Sequence, residues 1–377
     1  MEEMKWTLLL TLFLTFNVTI IYADDVENEI SALMEKYDAI GVSVAVVKDE
    51  KIVYSKSFGY KNKEDSIPLT NDDLFRIASV SKTFVATAIM QHVEKGRISL
   101  DDDVNRYLDF KVQNPKFPDA PITIKMLLCH RSSINDSQGR DNFDRINPEK
   151  NPNFAKCYND YAPGNDYTYS NMNYNILAAV IEKISRERFD RYIDNHIMKP
   201  IGLHGSFNGL DLDSTLFVSP YLYSKKNDSL YLVQHIYQPQ NKDLNDYKLG
   251  YSTTAFQSPG GMIITAEELA KYMMMHMNDG KYHRKRILKA RSERRMREVQ
   301  TERHQYALSF TNYRRLIPNE ELIGQTGWAH GIHTAMIFNP EKKYGFVVLD
   351  NGYKTKSTDI RELEFDIIRK LYDFFCK

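Results

Sequence analysis

Strand-like runs stand at the two ends of this chain, and helices and loops fill the space between them. Near the start, "GVSVAVV" and "KIVYSKSFGY" (Gly41 to Tyr60) read as two strands joined by the tight turn "KDEK". Near the end, "QYALSFTNY", "ELIGQTG", "HTAMIFN" and "YGFVVLDN" alternate or run apolar between turn residues. The spacing predicts helices over "VENEISALMEKYDA", "SKTFVATAIMQHVEKG" (stopping at Gly96), "TIKMLLCH", "YTYSNMNYNILAAVIEKIS" and "FDRYIDNHIMKPIG". "TAEELAKYMMMHMNDG", capped by Thr265 with a Glu three residues on, and "DIRELEFDIIRKLYDFF" add two more. The stretch from Asp109 to Tyr167 is rich in Pro, Asn, Asp and Ser, and residues 211–250 hold a hairpin around "KKND". Two early strands therefore rejoin three or four late ones. The expected class is α/β in the α+β sense: one antiparallel sheet flanked by helices, with a mainly helical inserted lobe.

Composition narrows the function. Fifty basic and fifty acidic side chains balance over 377 residues, so no global field points to nucleic acid or an anionic membrane. The basic run "HRKRILKARSERRMRE" is broken by acids and reads as the solvated face of a helix. Lys5, the apolar "WTLLLTLFLTF" and Ala23 before Asp24 read as a secretory signal over residues 1–23, the other reading being an uncleaved anchor. The expected location is secreted or periplasmic, with no stable membrane span after cleavage. In such a compartment Cys129 and Cys157 are the more natural disulfide pair, leaving Cys376 free. His330 and His333 lie close together, but neither HExxH nor a carboxylate-flanked cluster accompanies them, so no metal and no cofactor is expected. Met273, Met274, Met275 and Met277 read as core packing.

The chemistry centres on "FRIASVSKTF". Ser79 and Lys82 stand three apart and share a face in a helical turn. A serine hydroxyl needs a base to become a nucleophile, and a lysine serves only if burial and nearby cations depress its pKa. The rival reading makes Ser79 or Ser81 a helix cap beside a solvated lysine. "PGNDYTYSN" adds Tyr169 and Asn171 before a helix: a tyrosine near a lysine can pass a proton, and an asparagine can hold a substrate amide. "IGQTGWAHG" adds Gln325, Thr326 and Gly327 on a late strand, where glycine admits close approach of a substrate backbone.

Ser79-Val80-Ser81-Lys82, Tyr169-Ser170-Asn171 and Gln325-Thr326-Gly327 come in the order and spacing of the serine β-lactamase and penicillin-binding protein superfamily, which this chain resembles. The similar branch holds class C β-lactamases, D-Ala-D-Ala carboxypeptidases, D-aminopeptidases and related esterases. "LLCHRSSI" and "SPGGMIITAEELAKYM" fit the same family, and the likeness runs from about Gly41 to Asn351. It implies one β-lactamase-like domain over residues 24–377, with a sheet lobe over about 24–110 and 245–377 and a helical and loop lobe over about 111–244.

The resemblance also implies site roles. Ser79 would be the acylated nucleophile, Lys82 its base or proton partner, and Tyr169 the proton shuttle. Asn171, Gln325, Thr326 and Gly327 would bind substrate, and the N–H groups of Ser79 and Trp328 would form the oxyanion hole. The expected partner is a small molecule or peptide. The implied activity is hydrolysis of small esters, amides or peptides, with β-lactam hydrolysis or a catalytically weak binding protein as alternatives. Gln325 departs from the family's lysine or histidine and carries no charge for a substrate carboxylate. Trp328 stands where a small residue is common, and His330 where proline is, which makes His330 a conceivable spare base.

Overall fold

The computed structural model describes residues 25–237, 244–355 and 360–377; the export-signal reading of residues 1–23 lies outside them. The chain runs through α1 (25–37), β1 (Gly41–Lys48), β2 (Lys51–Asn62), β3 (Ile67–Pro68), β4 (Phe75–Arg76) and α2 (Lys82–Glu94). Then come α3 (Ile124–Leu128), α4 (Met172–Ser185), α5 (Phe189–Ile193), β5 (Tyr221–Ser224), β6 (Ser229–Leu232) and β7 (Ile263–Ile264). It closes with α6 (Ala266–Met277), β8 (Lys281–Tyr282), β9 (Lys285–Arg286), α7 (Ala290–Arg297), β10 (Thr311–Asn312), β11 (Ile323–Ala329), β12 (Ile332–Asn339), β13 (Tyr344–Asp350) and α8 (Glu362–Phe375).

The two ends of the chain meet in one antiparallel sheet of order β10-β11-β12-β13-β1-β2-β3. Strand β1 is the seam: Val42 to Lys48 pair with Asp350 to Tyr344 on one side and with β2 on the other. Its continuous apolar run has a direct cause, because both faces are covered. Val42, Val44 and Val46 pack with Ile30, Leu33, Leu363 and Ile367 of the terminal helices. Ala45 and Val47 face the larger core that contains α2, α4 and α6. Helix α2 is buried from Lys82 through Met90, as befits an apolar helix in the middle of that core. The four methionines of α6 are buried in it as well.

The hairpin expected around "KKND" forms, with Tyr221–Ser224 pairing to Ser229–Leu232. Thr265 caps α6 by accepting from Glu268 N at 3.2 Å. The Glu268 carboxylate does not reach back; it takes the His204 N–H at 2.7 Å and Lys271 at 2.8 Å. Three expectations need correction. "QYALSFTNY" is a strand only at Thr311–Asn312, because Gln305 (φ 51°) and Ser309 (φ 75°) turn the backbone out of the extended region. The Cys129–Cys157 disulfide is absent: both are buried free thiols whose Sγ atoms point to different carbonyls, of Met126 at 3.9 Å and Arg145 at 3.3 Å. The basic run is not wholly a solvated face, since Glu293 on α7 is buried and 2.9 Å from His276 Nδ1.

Helix α4, which follows the Tyr-x-Asn segment, is locked at its far end by a buried carboxylate. Glu182 accepts from Phe189 N at 2.8 Å, Gly250 N at 2.7 Å, Thr253 Oγ1 at 2.6 Å and the Tyr247 hydroxyl. Its burial pushes its pKa up, and these donors pull it back. Glu182→Ala would orphan them together and is expected to cost about 3 kcal/mol or more of stability by urea unfolding, with Glu182→Gln losing less. A loss below about 1 kcal/mol for the alanine variant would contradict this account.

Candidate active site

Ser79 does not lie in the α2 helix. It sits in a 3-10 turn, Ala78–Ser81, that leads directly into Lys82. In such a turn residues i and i+3 eclipse, which places the Lys82 amine over the Ser79 hydroxyl at 3.0 Å. Neither serine caps α2: Ser81 occupies the cap position with helical angles and no capping bond, and its hydroxyl accepts from Met262 N at 3.1 Å. Ala78 holds a left-handed φ of 44° just before Ser79. A strain of about 1–3 kcal/mol of this kind persists only where neighbours over-determine it. Here Ile77 N donates to Met262 O at 2.9 Å and Ile77 O accepts from Thr334 Oγ1 at 2.9 Å.

Two remote segments join the Ser79 turn at the Lys82 amine. Besides Ser79 Oγ it meets Asn171 Oδ1 at 2.9 Å and Pro259 O at 2.8 Å. Lys82 is wholly buried, and that burial, reinforced by Arg140, drives its pKa well below the ordinary 10.5, while Asp136 opposes the shift. The Tyr169 hydroxyl donates to Ser79 Oγ at 2.7 Å. Although Tyr169 as a whole stays 38% exposed, desolvation around its hydroxyl raises its pKa, with the Ser79 bond acting the other way. The two groups touching Ser79 are thus displaced in opposite directions, one toward a neutral amine and one toward a protonated phenol.

Asp136 is a contributor that sequence reasoning missed. Its carboxylate accepts from Ser170 Oγ at 2.6 Å, Asn171 N and Nδ2 at 2.9 Å, and Met172 N at 3.1 Å. It therefore caps α4 and fixes which end of the Asn171 amide faces Lys82. It lies two residues beyond the quoted "LLCHRSSI", in a loop with no periodic signal. His130 from that stretch receives Ser170 N at 3.2 Å and packs against the Tyr169 ring, centroids 4.2 Å apart.

The third motif lies on β11, beside the Ser79 turn. A Cβ on Gly327 would fall 2.7 Å from Ser79 N and 2.6 Å from Thr334 Oγ1. The glycine thus admits the Ser79 turn itself to the strand. Gln325 borders the cavity, but its amide is committed inward: Nε2 donates to Tyr306 Oη at 3.0 Å and Ser309 O at 3.2 Å, and Oε1 accepts from Thr326 N at 3.0 Å. Thr326 Oγ1 receives the Tyr313 hydroxyl at 3.3 Å. Trp328 is 49% exposed and stacks over His333, so it is a cleft wall rather than core packing.

Ser79, Tyr169 and Trp328 border two hollows. One, of 620 Å³, is aromatic and hydroxylic, lined by Tyr167, Tyr306, Tyr313, Thr311 and Thr326 with Arg361. The other, of 420 Å³, is lined by Arg76, Arg140, Asn175, Gln257 and His330. His330 has its pKa lowered by burial, with Arg76 and Arg140 adding to the shift. It shares the hollow but has no bond to Ser79.

Comparison with known proteins agrees with this architecture. The Beta-lactamase family model matches residues 26–367, and the chain belongs to that family, whose members are serine hydrolases with a β-lactamase-like fold. Protein flp of Staphylococcus aureus (strain MRSA252) is 25% identical over 350 residues, covering 87% of this chain and 63% of its own length. The chain thus spans less than two thirds of that curated relative. The octameric penicillin-binding protein homologue from Pyrococcus abyssi superposes with a TM-score of 0.73 at 26% identity, over 93% of this chain and 77% of that one. The D-amino acid amidase from Ochrobactrum anthropi SV3, solved with L-phenylalanine amide, shares the fold with a TM-score of 0.68 at 20% identity, over 92% and 99% of the two chains.

Gly327→Ala is expected to cost about 1–3 kcal/mol of stability, because the added methyl meets backbone on the Ser79 turn. Urea unfolding followed by Trp328 fluorescence reads this directly. Unchanged stability would mean that β11 stands further from the turn.

Proposed function

We propose that this protein is an exported serine hydrolase that forms an acyl-enzyme at Ser79 and acts on small esters, amides or peptides. The observation that carries the reading is the Ser79 hydroxyl held at once by Lys82 Nζ at 3.0 Å and Tyr169 Oη at 2.7 Å. The export part rests on the signal-like residues 1–23. Among the described residues, no helix is long and apolar enough to cross a membrane.

In this mechanism neutral Lys82 takes the Ser79 proton as Oγ attacks the substrate carbonyl. The oxyanion is met by the N–H groups of Ser79 and Trp328, each such donor being worth ~3 kcal/mol to the transition state. Protonated Tyr169 gives its proton to the leaving group and regains it from the water that attacks the acyl carbonyl, while Lys82 returns its proton to Ser79 Oγ as the acyl–oxygen bond breaks. Asn171 and Thr326, at opposite walls, hold the substrate; Gln325 bounds the cavity and braces its floor. The D-amino acid amidase among the structural neighbours supports amides as one substrate class to test. With the Gln325 amide bonded inside the protein, the position that carries a charged lysine or histidine in related enzymes supplies no cation. That favours esterase or amidase chemistry over β-lactam hydrolysis.

Ser79→Ala is expected to abolish the single adduct that a small fluorophosphonate leaves on the parent in intact-mass spectra, and to lower ester turnover by about 1000-fold or more. An adduct of equal yield on the variant would refute Ser79 as the nucleophile. The pH profile tests the base. The working form of Lys82 is neutral and its pKa is depressed below 10.5, so kcat/KM should rise with pH and level off well before pH 10.5. A rate still climbing at that pH would remove Lys82 from the role.

A further inference from the structure

Behind the sheet strand that carries Trp328, three ionisable side chains meet in the core. His333 on β12 and Asp350 on β13 are register partners, and Glu364 projects from the first turns of α8. They are 3%, 0% and 1% exposed, and one ligand-capable atom from each lies within 4.8 Å of the others. Some of their bonding capacity is used: His333 Nδ1 lies 3.0 Å from Asp350 Oδ1, Gly352 N donates to that same oxygen at 3.1 Å, and Tyr353 Oη reaches Glu364 Oε2 at 3.2 Å. The remainder is not. Asp350 Oδ2 and Glu364 Oε1 are buried and have no hydrogen-bond partner among the described residues. Orphaned buried carboxylate oxygens are costly, and two of them in one pocket beside an imidazole call for a shared occupant.

We propose that His333, Asp350 and Glu364 bind a divalent metal ion, with zinc the best match, which ties β12 and β13 to α8. One nitrogen and two carboxylates are zinc donors that supply three of the four positions of a tetrahedral site, leaving the fourth for a water. Two carboxylates and a neutral imidazole around a dication also sum to zero charge, which is what a buried site requires. Gly352 N–H and the Tyr353 hydroxyl already hold the carboxylates from outside, as oriented ligands need. The ion is a brace and not a reactant. Its link to the cleft is the His333 ring, which stacks on Trp328 at 6.4 Å.

The test is elemental analysis of the full chain after loading with zinc and exhaustive washing in metal-free buffer, together with its melting midpoint with and without a chelator. About one equivalent of zinc per chain is expected, with the midpoint higher by about 3 °C or more in the zinc form. Glu364→Gln and His333→Gln should each lose the equivalent and the zinc-dependent shift. Less than about a tenth of an equivalent on the parent, with no shift on adding zinc, would overturn the proposal and leave a carboxyl pair sharing a proton. So would zinc retained equally by both variants. The parent measurement decides by itself if the variants fail to fold.

Discussion

The Lys82 amine is the point on which the rest of the site depends. A primary amine has room for several hydrogen-bond partners, and here they come from three places far apart in the chain: Ser79, Asn171 and Pro259. Each is delivered by its own device. The 3-10 turn brings Ser79 over the lysine. Asp136 orients the Asn171 amide while capping α4. The Pro259 carbonyl comes from the segment that Glu182 anchors through Gly250 and Thr253. Burying an amine is unfavourable for its charged form, so an assembly that excludes water from Lys82 also prepares it to accept a proton. Packing and the depressed pKa of Lys82 have the same origin here.

Much of this was legible in the sequence, for reasons that differ by element. The apolar runs of β1, β12 and β13 announced buried strands because both faces of the sheet are covered. The Ser79, Lys82, Tyr169 and Asn171 spacings were legible because Ser79 and Lys82 share one turn and Tyr169 and Asn171 come immediately before a helix. What escaped depends on tertiary meetings. Asp136 sits in a loop, and nothing local tells that its carboxylate will meet the N-terminus of α4. The left-handed φ at Gln305 and Ser309 broke a strand-like pattern, since the tertiary bonds of Gln325 to Tyr306 and Ser309 override its alternation. Cys129 and Cys157 share a core without sharing a bond, and proximity in sequence carries no information on Sγ direction.

His333 shows the same limit from another side. In sequence it pairs with His330, three residues away, but the intervening turn, with Gly331 at φ 89°, sends the two apart. His330 faces the cleft with Arg140, while His333 enters the core with Asp350 and Glu364. Sequence spacing shows no carboxylate beside either histidine, because Asp350 and Glu364 reach His333 only through strand register and the C-terminal helix.

The glutamine at 325 follows from the same electrostatics. Its amide sits among Tyr306, Ser309 and Thr326, a pocket of hydroxyls and carbonyls that is nearly closed to solvent. A lysine there would bring a second buried amine close to the Ser79 group and would need its own acceptors. Glutamine satisfies the same pocket as a neutral donor and acceptor, at little desolvation cost. The depression of the Lys82 pKa then rests on burial, with Arg140 as the cation that adds to it. The cleft's cations are Arg361 on the tyrosine-rich side and Arg76 and Arg140 on the other. Of these, Arg76 is buried, its guanidinium bonded to Gly260 O, Ile236 O and Gln257, so the strand beside Ser79 carries a neutral amide at 325 while the nearby positive charge lies along the two hollows.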